Sequence, residues 1–146
     1  MKIYEVTDKK EYLPLLRIGD EQESMIDRYI QDSDMYVLDD CGVKGGIVVC
    51  KAADGVLEIK NLAVFPESRR KGYGRALINF ICEKYKTRFS VVQAGTGDSP
   101  LTIPFYEKCG FVKSHAVKNF FLENYDRPII EGGVRLVDMI YLKKKL

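Results

Sequence analysis

The stretch Leu62-Ala63-Val64-Phe65-Pro66-Glu67-Ser68-Arg69-Arg70-Lys71-Gly72-Tyr73-Gly74-Arg75 decides how this chain is read. The apolar run Val56–Phe65 enters it as a strand and stops at Pro66. A helix leaves it: over Arg69–Tyr85, Leu77, Phe80, Ile81 and Lys84 or Tyr85 keep the 3.6-residue period, with charges on the other face. Phe89–Ala94 follows as a short apolar strand. Strand, turn, helix, strand is a βαβ unit, so the two strands are expected to run parallel. Two glycines let a ligand come close to the backbone of the turn, and the helix start offers unpaired N–H groups and a positive dipole end. Arg69, Arg70 and Lys71 precede the first glycine and Arg75 follows the second. Read from the residues, this is a site for a pyrophosphate or another polyanion, although a G-x-G alone serves equally as helix punctuation. It is not a Walker loop and lacks the third glycine of the dinucleotide fingerprint.

Upstream, Lys2–Thr7 alternates as a first strand. Asp8 with Glu11, and Asp20 with Glu23, read as capping boxes opening two helices, the second carrying Met25, Ile26, Tyr29 and Ile30 on one face. Met35–Leu38 and Gly46–Cys50 are strands separated by the turn Asp40-Cys41-Gly42, and Ala53-Asp54-Gly55 turns into Val56. Downstream, Gly95–Pro100 is a loop. A helix ends at Cys109 with Gly110 as its left-handed C′ residue; Pro100 and Pro104 place its start near Thr102. Phe111–Val117 and Val134–Leu142 are the last two strands, and Phe120–Gly133 between them shows no clear period. The result is one mixed α/β domain over residues 1–146, in the order βααβββαβαββ, with the sheet in the middle.

A chain of 146 residues with 46% hydrophobic and 30% charged residues is long enough to bury a core and is not disordered. Twenty-three Lys+Arg against 21 Asp+Glu leave +2, too little to point to nucleic acid or a membrane surface. No apolar run approaches the ~20 residues of a membrane span, and the charged start MKIYEVTDKKEY is no signal peptide. Cys41, Cys50, Cys82 and Cys109 form no C-x-x-C pair and His115 is the single histidine, so neither metal nor disulfide framework is expected, and reduced thiols fit a cytoplasmic protein.

Leu62–Gly74 resembles the acyl-coenzyme A signature of the GCN5-related N-acetyltransferases (GNAT): a valine ending a strand, a proline, then R/Q-x-x-G-x-G/A opening a helix. Phe105-Tyr106-Glu107-Lys108-Cys109-Gly110-Phe111 is similar to that family's Y-E-K-x-G-F, about 30 residues on and in the family's order. The resemblance covers essentially the whole chain. It implies a central twisted sheet in which the strands Val56–Phe65 and Phe89–Ala94 splay apart and the pantetheine arm of acetyl-coenzyme A (acetyl-CoA) lies between them. The backbone of Leu62, Ala63 and Val64 is then expected to pair with pantetheine. The amides of Arg69, Arg70, Lys71, Gly72, Tyr73, Gly74 and Arg75 are expected to cradle the pyrophosphate, and a backbone N–H near Val64 to meet the oxyanion. A homodimer is a family-level expectation. Many members carry Asn where Ser99 stands, seven residues before Tyr106, so coenzyme contacts there are not carried over.

Acetyl transfer to an amine needs a base, because an ammonium has a pKa near ~10.4, and a proton for the departing thiolate. By resemblance Tyr106 is the acid; the competing reading is a core aromatic beside Phe105 and Phe111. Glu58, fourteen residues before Gly72, is the candidate base, at the spacing of the catalytic glutamate in histone-acetylating members; the competing reading is a polar residue on an amphipathic strand. Cys109 lacks an adjacent base and reads as packing, and His115 as a strand residue. The acceptor region implied by the family, Ile18–Asp34 and Phe120–Gly133, is rich in acids: Asp20, Glu21, Glu23, Asp32, Asp34, Glu123, Asp126 and Glu131. An acidic mouth suits a small cationic amine; the alternatives are a protein lysine or N-terminal amine, or a domain that binds acyl-CoA without turnover.

Overall fold

The computed structural model describes residues 1–146. Nine strands and five α-helices follow one another as β1 (Lys2–Val6), α1 (Leu13–Gly19), α2 (Glu23–Ile26), β2 (Asp34–Asp39), β3 (Val43–Ala53), β4 (Val56–Val64), α3 (Tyr73–Tyr85), β5 (Val91–Gly97), α4 (Thr102–Lys108), β6 (Val112–Val117), α5 (Phe120–Asn124), β7 (Ile130–Glu131), β8 (Val134–Arg135) and β9 (Met139–Lys145). Seven strands form one sheet in the order β1-β2-β3-β4-β5-β9-β6, and β7-β8 is a separate small hairpin. Every pairing in the large sheet is antiparallel except β4 with β5, which is parallel as the βαβ reading requires.

Each sheet face buries its own core. On one, Leu77, Ile78, Ile81 and Tyr85 of α3 and Ile103 and Tyr106 of α4 pack on Leu57, Ile59, Val92, Ala94 and Leu142. On the other, Leu15 and Leu16 of α1 and Ile26 of α2 pack on Met35, Val37, Val48 and Ala63. Alternation along the strands sorts the side chains, since successive residues point to opposite faces.

One irregularity shapes the middle of the sheet. Val48 lies opposite Asn61 and Val49 opposite Ile59, so Lys60 is an extra residue, a bulge in β4. The bulge reverses the alternation. Leu57 and Ile59 belong to the α3 face, and after Lys60 it is Leu62 and Val64 that pack there, while Ala63 turns to the other side. Strand β5 pairs with β4 only over Val56–Ile59 and Val91–Ala94. Beyond that point β5 stays with β9 and Asn61–Val64 stays with β3, so the two parallel strands part.

Several boundaries differ from the sequence reading. Asp8 makes no side-chain cap; Lys9–Tyr12 is a 3-10 turn, and the α-helix restarts at Leu13, with Pro14 in its first turn where a missing N–H costs nothing. Gln22, not Asp20, precedes α2, and α2 ends at Ile26. The helix expected from Arg69 begins at Tyr73, because Arg69 is extended and Arg70 and Gly72 take positive φ. The expected loop at Gly95 is still strand up to Gly97, held by β9. Val134–Leu142 is not one strand: β8 belongs to the hairpin and the sheet strand begins at Met139. Gly110, at φ +94°, ends α4 as expected.

Candidate acetyl-transfer site

Where β4 ends, Pro66–Ser68 makes a 3-10 turn, Arg69 is extended, Arg70 takes φ +64° and Gly72 φ +82°, and α3 starts. The first amide to reach a helical carbonyl is that of Ala76, which donates to Gly72 at 3.0 Å. The N–H groups from Arg70 to Arg75 therefore donate to no backbone carbonyl and gather at the positive end of a thirteen-residue helix. A Cβ on Gly72 meets nothing within 4 Å, so that side of the turn is open. Gly74 also has a packing role. A Cβ there lies 3.1 Å from Phe105 Cζ, so this glycine lets α3 approach α4. The exposed Arg75 guanidinium bonds the Lys108 carbonyl at the end of α4. Tyr73 donates its hydroxyl to Asp40 Oδ2 at 2.6 Å, tying the turn to the end of β2.

Along the gap, Lys60–Val64 has no strand partner on the β5 side, so backbone donors and acceptors of Leu62, Ala63 and Val64 stand beside an open edge. An unpaired edge of this kind is a template for an extended, amide-bearing ligand.

Glu58 sits where the two strands begin to part, on the α1/α2 face, and is 8% exposed. Gln93 Nε2 donates to its Oε1 at 2.6 Å and Lys60 Nζ to its Oε2 at 2.9 Å. Burial works to lower the Lys60 pKa, but the hydrogen bond and charge of Glu58 outweigh it and hold the ammonium above its usual range. Tyr106 lies on the opposite face in α4, with its ring edge-on to Phe105 and Phe111 at centroid distances of 5.3 Å. Burial pushes its phenol far above the ordinary tyrosine range, so it stays protonated at neutral pH. Glu58 and Tyr106 do not share a cavity; the gap between β4 and β5 lies between their two faces.

The cavity that Glu58 lines has a volume of about 230 Å³. Glu58 and Lys60 from β4, Gly95 from β5 and Met139 and Tyr141 from β9 floor it; Arg28 and Tyr29 beyond α2, with Phe120 and Tyr125, wall it. A second hollow of about 140 Å³ adjoins it, sharing Asp20, Lys60, Gly95, Tyr125 and Met139 and adding Glu21 and Glu131. The wall is tied across the chain: Tyr125 donates to Asp20 Oδ1 at 2.8 Å, and the Asp126 amide to Gln22 Oε1 at 3.0 Å. Burial raises the Asp20 pKa, against the bonds from Tyr125 and Gln22.

The acidic mouth is narrower than the sequence suggested. Asp20, Glu21 and Glu131 reach the cleft, but Glu23 pairs with Lys10 on the surface and Asp34 accepts from Tyr85 at 2.6 Å on the other face. Two cations the sequence reading passed over, Arg28 and Lys60, stand in the cleft with them. Tyr29, Asn61 and Gln93 were also missed; the polar pair Lys60-Asn61 interrupting an apolar strand was their one visible signal. Cys109 is buried at the end of α4, and His115 stacks on Tyr141 at 4.6 Å. No set of three or more His, Cys, Asp or Glu side chains converges to hold a metal, and no helix is long and apolar enough to cross a membrane.

A family model described as acetyltransferase (GNAT) domain matches residues 31–113, more than half of the chain. The uncharacterized N-acetyltransferase YvbK of Bacillus subtilis (strain 168) is 31% identical over 135 residues, covering 90% of this chain and 87% of that protein. A GNAT family acetyltransferase from Elizabethkingia anophelis, solved with acetyl-CoA bound, superposes with a TM-score of 0.93 at 30% identity, covering 99% of this chain and 97% of that one. A Bacillus subtilis acetyltransferase solved in complex with CoA gives 0.89 at 30% identity, with 99% and 98% covered. With the parted strands, the open amide turn and these relatives together, the chain belongs to the GNAT family of acetyltransferases.

Proposed function

We propose that this protein is an acetyl-CoA-dependent N-acetyltransferase that acts on the primary amine of a small molecule by direct attack in a ternary complex. The observation that carries this reading is the parting of β4 from β5 after Ile59 and Ala94, with the open amide turn at the end of one strand and a cavity beside the fork. The chemistry present fits the cofactor. Leu62, Ala63 and Val64 offer an unpaired edge to pantetheine amides, and the N–H groups of Arg70–Arg75 offer donors to a pyrophosphate. Arg69 and Lys71 add charge at the rim, while Arg75, its guanidinium engaged by the Lys108 carbonyl, contributes through its backbone. Acetyl-CoA supplies an activated thioester carbonyl; the chain supplies orientation and proton handling.

On the cavity side, each Glu58 oxygen keeps a second lone pair after bonding Gln93 or Lys60. Glu58 can therefore take an amine N–H without giving up either partner, which makes it the base, directly or through a water. On the other face Tyr106 keeps its proton and can hydrogen-bond or protonate the departing sulfur. A cavity of about 230 Å³ favours a small acceptor over a protein substrate, since drug-sized ligands need roughly 300–1,000 Å³. The acceptor's ammonium is the cation that Glu58, Asp20, Glu21 and Glu131 suit.

Thermal unfolding with ~1 mM acetyl-CoA, against ADP as control, tests the cofactor half. A dissociation constant near ~10 μM adds roughly 2.7 kcal/mol, a rise of roughly 5–11 °C for a domain of this size. Thiol release across a panel of small amines tests the other half. No shift with acetyl-CoA in coenzyme-free protein overturns the proposal; a shift without turnover of any amine leaves a binding domain.

A further inference from the structure

The cavity holds more hydrogen-bond donors than an amine can use. A protonated amine brings only N–H donors and asks for acceptor oxygens, which Glu58 and Asp20 supply. The same cavity presents Arg28, whose guanidinium has five N–H donors and gives one to Asn124 Oδ1 at 3.1 Å. Arg28 takes part in no ion pair. Its neighbour in sequence, Tyr29, adds a second donor. Asn61 Nδ2 donates to the Tyr29 oxygen at 3.1 Å and to the Leu16 carbonyl at 2.8 Å, so the Tyr29 lone pair is engaged and its O–H proton is left for the cavity. The lining charges also balance: Asp20 and Glu58 against Arg28 and Lys60. A polycation meets two cations here and a plain anion meets two carboxylates. A dipolar molecule meets a partner at each end, and Met25, Phe120, Met139 and Tyr141 contact its apolar body.

We infer that the acceptor is an amino acid with an apolar or aromatic body, its amine directed to Glu58 and its carboxylate held by Arg28 and the Tyr29 hydroxyl. A guanidinium matches a carboxylate in a planar, two-bond fork, which an ammonium cannot do. Asp20 and Arg28 are not within ion-pair distance, and Asp20 Oδ1 accepts from Tyr125 and the Gln22 amide, so the guanidinium forms no direct pair with it although its charge still acts on that carboxyl.

This inference rests on the proposed acetyl transfer, and the test separates the two. Thiol release is measured for phenylalanine, leucine and 6-aminohexanoate, each beside the amine lacking its carboxylate: phenethylamine, isoamylamine and pentylamine. At least one amino acid is expected to exceed its partner in kcat/KM by about tenfold or more, since a site built to bond a group discriminates against its absence. Arg28→Gln is exposed and should fold as the parent does, which its melting temperature checks. It is expected to reduce that preference by about tenfold or more, mainly through KM for the amino acid, and Tyr29→Phe to reduce it less. Equal or better turnover of the amines lacking carboxylate, or a preference unmoved by Arg28→Gln, overturns the inference and leaves acetyl transfer standing. Acetyl-CoA binding with no turnover of any compound overturns both the inference and the enzymatic reading, while the cofactor reading survives.

Discussion

At the residue scale, each candidate is set apart by what its polar atoms touch. Tyr106 is walled by Phe105 and Phe111 and offers one hydroxyl, so Tyr106→Phe removes a proton donor and little packing. We expect kcat to fall by roughly 10²-fold or more in steady-state thiol release, with KM for acetyl-CoA and the melting temperature little changed. Glu58 carries structure as well as chemistry. In Glu58→Gln the Lys60 ammonium loses its partner in a half-buried place, so activity should fall together with a loss of roughly 1–3 kcal/mol in denaturant melts. Asp20 gives a pH signature. Burial raises its folded pKa above the unfolded 3.8, so its contribution is most favourable below that value and is lost as pH rises through the folded pKa. Asp20→Asn keeps an oxygen for Tyr125 and carries no charge to bury. Its melting temperature relative to the parent should therefore climb as the pH rises from about 4 through the folded pKa and then level off. A flat difference refutes that account.

At the scale of elements, the turn into α3 and the approach of α4 divide the work of two neighbouring glycines. Gly72 is left-handed with open space where a Cβ would stand, so Gly72→Ala costs roughly 1–2 kcal/mol of backbone strain. It also sets a methyl on the open side of the turn, and calorimetric titration should show acetyl-CoA affinity lower by roughly tenfold. Gly74→Ala acts on packing instead. Its Cβ at 3.1 Å from Phe105 Cζ tilts the ring that lies edge-on to Tyr106. We expect a stability loss of roughly 1–3 kcal/mol with kcat lowered more than acetyl-CoA affinity. The pair separates a phosphate cradle from a helix contact although both lie in the same G-x-G. That distinction was not legible in the motif, because the atom that matters to Gly74 is more than 30 residues away.

At the scale of the whole molecule, the bulge at Lys60 and the limited β4–β5 pairing leave the centre of the sheet open while β2–β3 and β5–β9 pair along their length. Hydrogen exchange should show this directly. Amides of Arg70–Arg75 and of the β4 edge beyond Lys60 should exchange fast in the free protein and slow on adding acetyl-CoA, while β2 and β3 stay protected throughout. Slow exchange at the turn in the free protein contradicts the absence of acceptors there.

Much of this arrangement was determined by the sequence on its own. The 3.6 and 2.0 periods, Pro66, Gly72 and Gly110 mark where elements start and stop, and the βαβ order makes β4 and β5 parallel, because these depend on neighbours a few residues apart. The two motifs likewise placed the amide turn and Tyr106 by number. The helix start slipped from Arg69 to Tyr73 because positive φ at Arg70 and Gly72 is a backbone state that amphipathic periodicity does not register. The wall of the cavity beside Glu58 could come only from the tertiary structure. Tyr125 reaches Asp20 across 105 positions, and Gln93 meets Glu58 across 35. The same packing moved Asp34 and Glu23 out of the cleft and brought Arg28 and Lys60 into it. Which charges share a cavity is decided by sheet order and by one extra residue in one strand, and side-chain chemistry read along the chain carries no record of either.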